Sequence, residues 1–269
     1  MTLPDLILYR IDGAVSLVAH MTLHELAIPF TATRMTINPA TRKAEAADGT
    51  LTSDEYAREI NPTGQVPALS VIEHHDNQNT ITTITETPAI LMYLADLGSS
   101  SSPSGISLAG KSPLERAQIA SWLAFLSTSV HCQGFGPLSF PRRFLDVGSL
   151  TSQRGGGRIE EAEKAVVAAG KKSVDLYFRM IEERLPFSLS SSRGGDADES
   201  GEGEDEGYHA VGRSLSVVDF NLYVFYRWGR DMGVKMDELY PKWTALARKL
   251  EARGSVKTAV WLERVASVF

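Results

Sequence analysis

The pattern of this chain changes at Gly98, and that change constrains the fold more than any other feature. Before it, short apolar runs alternate with helical stretches. Leu6–Tyr9 reads as a strand, Ser16–Ala27 as a helix and Phe30–Ile37, rich in Thr, as a second strand. Ser53–Ile60 is a weak helical turn. Pro67–Ile72 and Thr80–Ile84 read as strands flanking the polar stretch Glu73–Gln78, which suits a hairpin. Thr85–Leu97 then reads as a helix, with Pro88 early enough to be tolerated. A helical crossover between the first two strands makes them parallel, whereas the hairpin makes the last two antiparallel. Residues 1–97 are therefore expected to form a small mixed sheet with helices, an α/β domain.

Gly98–Gly110 is rich in Ser, Gly and Pro and reads as a linker. From residue 111 to 269 the signal is helical throughout. Ser112-Pro-Leu-Glu115 carries a capping residue, Pro at the first helical position and Glu three residues on. That helix is expected to run past Trp122 and Phe125 towards His131. Ile159–Leu185 is a second helix, with a break expected near Gly170, and Arg154–Arg158 reads as the loop before it. Ser216-Val-Val-Asp219 is another capping box, followed by helices at 220–228, 238–253 and 257–268. No internal repeat is evident.

Composition excludes several classes. Lys plus Arg is 27 and Asp plus Glu 33, a formal net charge of −6. Residues 187–209 hold seven acidic residues and one Arg, so they account for all of it. That segment has little to bury and is expected to be a disordered acidic insertion. An acidic chain is a poor fit to a partner recognised through phosphates, so no nucleic acid is expected. The single cysteine, Cys132, excludes an intramolecular disulfide and a cysteine-rich zinc site. It also suits a reducing, cytoplasmic setting. No apolar run approaches the roughly 20 residues of a membrane span, and neither secretory nor lipidation signal is read at the ends. The adjacent His74 and His75 sit in a polar hairpin, and no metal site is expected there.

Two segments read together carry a resemblance. Asn61-Pro-Thr-Gly-Gln-Val-Pro-Ala-Leu69 followed by Ile84-Thr-Glu-Thr-Pro-Ala-Ile-Leu91 resembles the N-terminal half of cytosolic glutathione S-transferases. Ser214–Asp219 looks like that family's C-terminal capping box. Gly13-Ala-Val-Ser-Leu-Val-Ala-His20 and Val130-His-Cys-Gln-Gly-Phe-Gly-Pro-Leu138 are most similar to the bacterial beta class. The resemblance spans nearly the whole chain apart from the acidic insertion. It implies a thioredoxin-like domain joined to a helical bundle, glutathione as co-substrate or cofactor, and a homodimer.

Glutathione is a peptide, and its cysteinyl part can be held as an added β-strand. The resemblance gives that role to the backbone of Val66 beside a cis Pro67. Thr87, at a helix N-terminus, would take the γ-glutamyl carboxylate. Glu86 would pair with the amine, and Gln65 would bridge both. Arg42 and Lys43 are the nearest cations for the glycyl carboxylate. A thiol has an ordinary pKa of roughly 8.5, and only its thiolate attacks. Ser16, at the start of the first helix, is the expected donor to the thiolate, with Tyr9 as a rival hydroxyl and His131 as a second donor. The beta-class cysteine is replaced by Val15, so no mixed disulfide can form there. The electrophile is expected between the domains, against Trp122, Phe125, Phe135, Phe140, Tyr223 and Tyr226.

Three functions fit this reading. The first is transfer of the glutathione thiolate to a small apolar electrophile, as in detoxification. The second is glutathione-dependent isomerisation or elimination on a natural-product intermediate. The Ser-rich linker and acidic insertion have the flavour of fungal specialised metabolism. The third is a non-catalytic binding protein, for which Val15 speaks.

Overall fold

The computed structural model describes residues 3–75, 78–101, 106–146, 157–186 and 209–269. The acidic run at 187–208 lies outside the described residues. Strand β1 (Asp5–Arg10) leads through helix α1 (Leu17–Glu25) to β2 (Thr31–Ile37) and a short β3 (Ala44–Ala46). Helix α2 (Ser53–Glu59), β4 (Ala68–His75), β5 (Gln78–Thr85) and α3 (Thr87–Ser101) follow. The sheet order is β3-β2-β1-β4-β5. β1 and β2 are parallel, in the register Leu8↔Ala32, and β4 runs antiparallel to β1 with Tyr9↔Ala68. The crossover and the hairpin thus match expectation, while β3 has no sequence signal beyond three residues.

Strand alternation divides the sheet into two faces. Leu6 and Leu8 point into the main core with Leu17, Val18, Ile90 and Leu94. Tyr9 points to the other face, into a smaller cluster with Met35, Ala44, Tyr56 and Ala68. Helix α1 is buried on nearly every side, from Leu17 through Leu23. An all-round buried helix needs partners all round. Here the sheet and α3 cover it from one half, and helices of the other half cover the rest.

That other half contains α4 (Pro113–Phe125), a π-helical continuation (Leu126–Phe135), α5 (Gly136–Ser139), a 3₁₀ turn (Pro141–Phe144) and α6 (Gly157–Arg184). It ends with α7 (Val217–Asp231), α8 (Met236–Leu239), α9 (Pro241–Glu251) and α10 (Gly254–Leu262). The capping signals hold: Ser112 accepts from the Glu115 N–H at 3.1 Å. Asp219, fully buried, accepts from the Ser216 N–H at 2.7 Å and its hydroxyl at 3.0 Å, and from the Ala210 N–H at 2.8 Å.

Two glycine readings are corrected. The expected break at Gly170 is absent, and α6 runs through it. A Cβ there would stand 2.8 Å from Pro137 Cβ, so this glycine serves a close crossing with α5. Gly98 likewise lies within α3, where a Cβ would meet Leu26 at 2.5 Å, so α3 enters the stretch read as a linker. The helix expected at 238–253 is interrupted between α8 and α9, where Pro241 begins a new first turn.

Candidate functional site

The turn between β1 and α1 is held from both halves of the chain. Gly13 adopts φ +70, a left-handed conformation that favours glycine. Its N–H donates to Glu263 Oε2 at 2.8 Å, and its C=O accepts from Trp228 Nε1 at 2.9 Å. A Cβ at Gly13 would lie 2.9 Å from Val265. Glu263 Oε1 meets His20 Nδ1 at 2.8 Å, and Arg10 Nη1 lies 3.9 Å from the same oxygen. The Glu263 and His20 side chains are 0% and 2% exposed. Arg10 also pairs with Asp12, which Arg34 reaches at 2.7 Å. The sequence offered no signal for this clamp, since Glu263 lies 243 residues from His20.

Behind it, His24 Nε2 is 3.2 Å from His20 Nε2. Burial, reinforced by His20, lowers the His24 pKa to about 4. Above pH 6.5 the ring is neutral in both folded and unfolded chains. As pH falls below 6.5, the unfolded chain binds a proton that the folded chain refuses until about 4. Stability is therefore expected to drain away over that window, by about 1–2 kcal/mol after allowing for solvent screening of a partly exposed ring. Urea unfolding of wild type and His24→Gln at several pH values checks this. A shallower loss in the variant is the expected result, and parallel curves contradict it.

Ser16 departs from expectation. It is fully buried. Its hydroxyl donates to the Ile11 C=O and accepts the Ile11 N–H, each at 3.1 Å. Both functions of the hydroxyl are committed to shaping the turn, so in this conformation it offers a thiolate nothing. Tyr9 is likewise a packing residue, ring to ring with Tyr56 at 5.6 Å in the smaller cluster.

His131 fares differently. The π-helical segment, a form frequent at functional sites, carries it onto the Trp228 ring at a centroid distance of 5.5 Å. That indole is the one bonded to Gly13, so His131 stands beside the β1–α1 turn. Burial pushes its pKa down, which keeps the ring neutral at pH 7 with one N–H to donate. Neither ring nitrogen has a hydrogen-bond partner among the described residues. Cys132, next to it, is exposed.

The other predicted residues gather at the sheet's end. The Val66–Pro67 bond is cis. The Gln65 carbonyl is locked by the Tyr56 hydroxyl at 2.7 Å and Asn61 Nδ2 at 2.8 Å, while the Gln65 side chain is exposed. Sheet pairing starts at Ala68, so the Val66 backbone projects beyond the ladder. Glu86 adopts φ +69, uncommon for a side-chain-bearing residue, and accepts the Ile90 N–H at 3.0 Å to open α3. Its side chain is exposed, and Thr87 follows in the first turn. Lys43 lies along Gly64, whose Cβ would stand 2.6 Å from Lys43 Cγ. Arg42 sits in a left-handed turn at φ +59, its guanidinium 5.5 Å from the Phe140 ring centre.

Most of the proposed aromatic wall is core instead. Trp122, Phe135, Tyr223 and Tyr226 are buried in the helical bundle. Burial also raises the Tyr223 pKa to about 12. Phe125 is partly buried and lines a cavity of about 350 Å³ with Met180, Glu183 and Arg184, away from the turn. Phe140 meets the guanidinium of Arg42 from the first half. His74 pairs with Asp5 at 2.9 Å, and no metal-binding cluster occurs among the described residues. Nor is any described helix long and apolar enough to cross a membrane.

Residues 14–97 match the glutathione S-transferase N-terminal domain. The structure is similar to a glutathione S-transferase from a sphingomonad, complexed with glutathione, at 28% identity and TM-score 0.62, covering 97% of this chain and 100% of that one. A beta-class enzyme from Sphingomonas chungbukensis matches at 27% identity and TM-score 0.64, with coverage of 97% and 100%. A transferase homologue from Sulfitobacter with bound glutathione matches at 25% and 0.65, covering 97% and 99%. Among curated proteins none matches. Residues 14–97 thus carry a glutathione S-transferase N-terminal domain, and the fold of the chain is similar to that of beta-class glutathione S-transferases.

Proposed function

We propose that this protein binds glutathione and transfers its thiolate to a small electrophile. The observation that carries the reading is the Val66 backbone, which lies beyond the end of the sheet ladder, next to Gln65 and to Glu86 and Thr87 past the Ala68–Thr85 pair. The glutathione-bound neighbours support it. The cysteinyl backbone pairs with Val66. The γ-glutamyl carboxylate meets the start of α3 at Thr87, the amine meets Glu86, and Gln65 reaches both. Lys43 faces the glycyl carboxylate, with Arg42 next to it in the chain.

The thiol then lies over the start of α1. Its proton leaves to solvent, and the thiolate charge is favoured by the helix N-terminus. With Ser16 committed to Ile11, His131 is the side chain best placed to donate to the sulfur or to the electrophile. The thiolate attacks an electron-poor carbon, a C–S bond forms, and the leaving group departs with its electron pair. A homodimer belongs to the same reading, supported by the exposed apolar side chains of Ile81 and Met92 on β5 and α3. So does a cytoplasmic setting.

One observation favours a second reading. Val15 and the committed Ser16 leave the turn without a free hydroxyl or thiol, which suits a glutathione-binding protein without transferase chemistry. Incubation with glutathione and chlorodinitrobenzene separates the two. Conjugate formation above the uncatalysed rate supports transfer, and glutathione binding without it supports the second reading.

A further inference from the structure

Where Arg42 of the first half meets Phe140 of the second, the surface carries a cluster of cations. Arg42 comes from the turn before β3, which is fixed by the Arg42 N–H to Asn38 C=O bond at 2.8 Å and the Asn38 N–H to Lys43 C=O bond at 2.9 Å. Arg143 comes from the 3₁₀ turn, whose Arg143 N–H to Phe140 C=O bond of 3.0 Å folds it back. Both guanidiniums lie over the same Phe140 ring, at 5.5 and 4.4 Å from its centre. Each is within the roughly 6 Å at which a ring face attracts a cation, so the two stand no more than about 10 Å apart. Two like charges so placed repel. Arg142, their neighbour, is neutralised by Glu163. Arg42, Lys43 and Arg143 have no carboxylate partner among the described residues.

Arg42 and Arg143 are exposed and Lys43 half-buried, so the cluster is open to more than one anion. The glycyl carboxylate of glutathione supplies one. Lys43 lies along Gly64, next to Gln65 and Val66, which the reading above gives to glutathione. The guanidinium pair bridges a turn of the sheet half and a ring of the helical half, and the transferase reading puts the second substrate between those halves. A planar guanidinium pair matches a carboxylate or sulfonate in geometry as well as charge.

We infer that the second substrate is an anionic electrophile, a compact apolar body bearing a carboxylate or sulfonate that Arg42 and Arg143 receive across the Phe140 ring. This rests on the transferase reading above and narrows its substrate class. In the reaction the thiolate carbon–sulfur bond forms as the carbon–leaving-group bond breaks, and the anion serves only for binding.

The test compares chlorodinitrobenzene with its ring-carboxylate analogue, chlorodinitrobenzoate. Each kcat/KM is divided by the uncatalysed rate with glutathione in the same buffer. Wild type is expected to favour the benzoate by roughly tenfold or more on this corrected scale. Arg143→Gln and Phe140→Leu should each collapse the preference, and Arg58→Gln, remote and exposed, should retain it. An equal corrected ratio in wild type overturns the inference. So does a rise in the KM for glutathione in Arg143→Gln with the preference intact, because the anion is then glutathione's own carboxylate. Turnover of neither compound while glutathione binds also overturns it. Failure of glutathione to bind, seen by calorimetry, overturns the underlying reading instead and carries this one with it.

Discussion

Glu263→Ala is expected to destabilise the protein by about 3–5 kcal/mol, the usual cost of removing one partner from a buried charged pair. The carboxylate is fully buried and accepts from Gly13 and His20, with Arg10 close by. Its loss strands a backbone N–H and an imidazole where water does not reach, and leaves Arg10 with Asp12 alone. The damage is not confined to stability. Among the described hydrogen bonds Gly13 is then tied to the helical half through Trp228 alone, so the turn over which the thiolate is proposed to lie loosens. Denaturant unfolding gives the first quantity, and kcat/KM on the folded fraction gives the second. A loss under about 1 kcal/mol, the range of an exposed pair, contradicts the account.

His131→Ala is expected to lower kcat by about a hundredfold, the scale of removing one positioned donor from developing negative charge. The imidazole is neutral, unpartnered among the described residues and beside the clamped turn. Glutathione affinity should stay within about threefold of wild type, because the residues assigned to the peptide lie on the sheet domain. His131→Gln, which keeps a donor, should recover part of the rate. If His131→Ala turns over at the wild-type rate while Ser16→Ala does not, the hydroxyl acts after all through a rearranged turn.

The elements legible in the sequence are those specified locally. Ser112-Pro-Leu-Glu115 and Ser216–Asp219 mark helix starts within four residues, and both hold. The cis bond at Val66–Pro67 is legible only through the family resemblance, since nothing in those two residues fixes the isomer. What stayed hidden depends on distant partners. Gly170 reads as a breaker because its neighbour Pro137 is 33 positions away. Ser16 reads as a free hydroxyl because the hydrogen bond that occupies it goes to a backbone carbonyl, which has no sequence signature. Trp122 and Tyr223 read as cleft walls because an aromatic at helical spacing looks the same facing a pocket or a core. The clamp through Glu263 joins the two ends of the chain, and only the packed fold brings them together.

Calorimetric titration of glutathione into the wild-type protein and into Glu86→Gln tests the central claim most directly. The account predicts saturable binding to wild type, one glutathione per chain, with Kd between about 1 μM and 1 mM, and a weakening of roughly tenfold in the variant, which loses the charge opposed to the ligand's amine. Absence of binding over that range, or equal binding by both proteins, contradicts it.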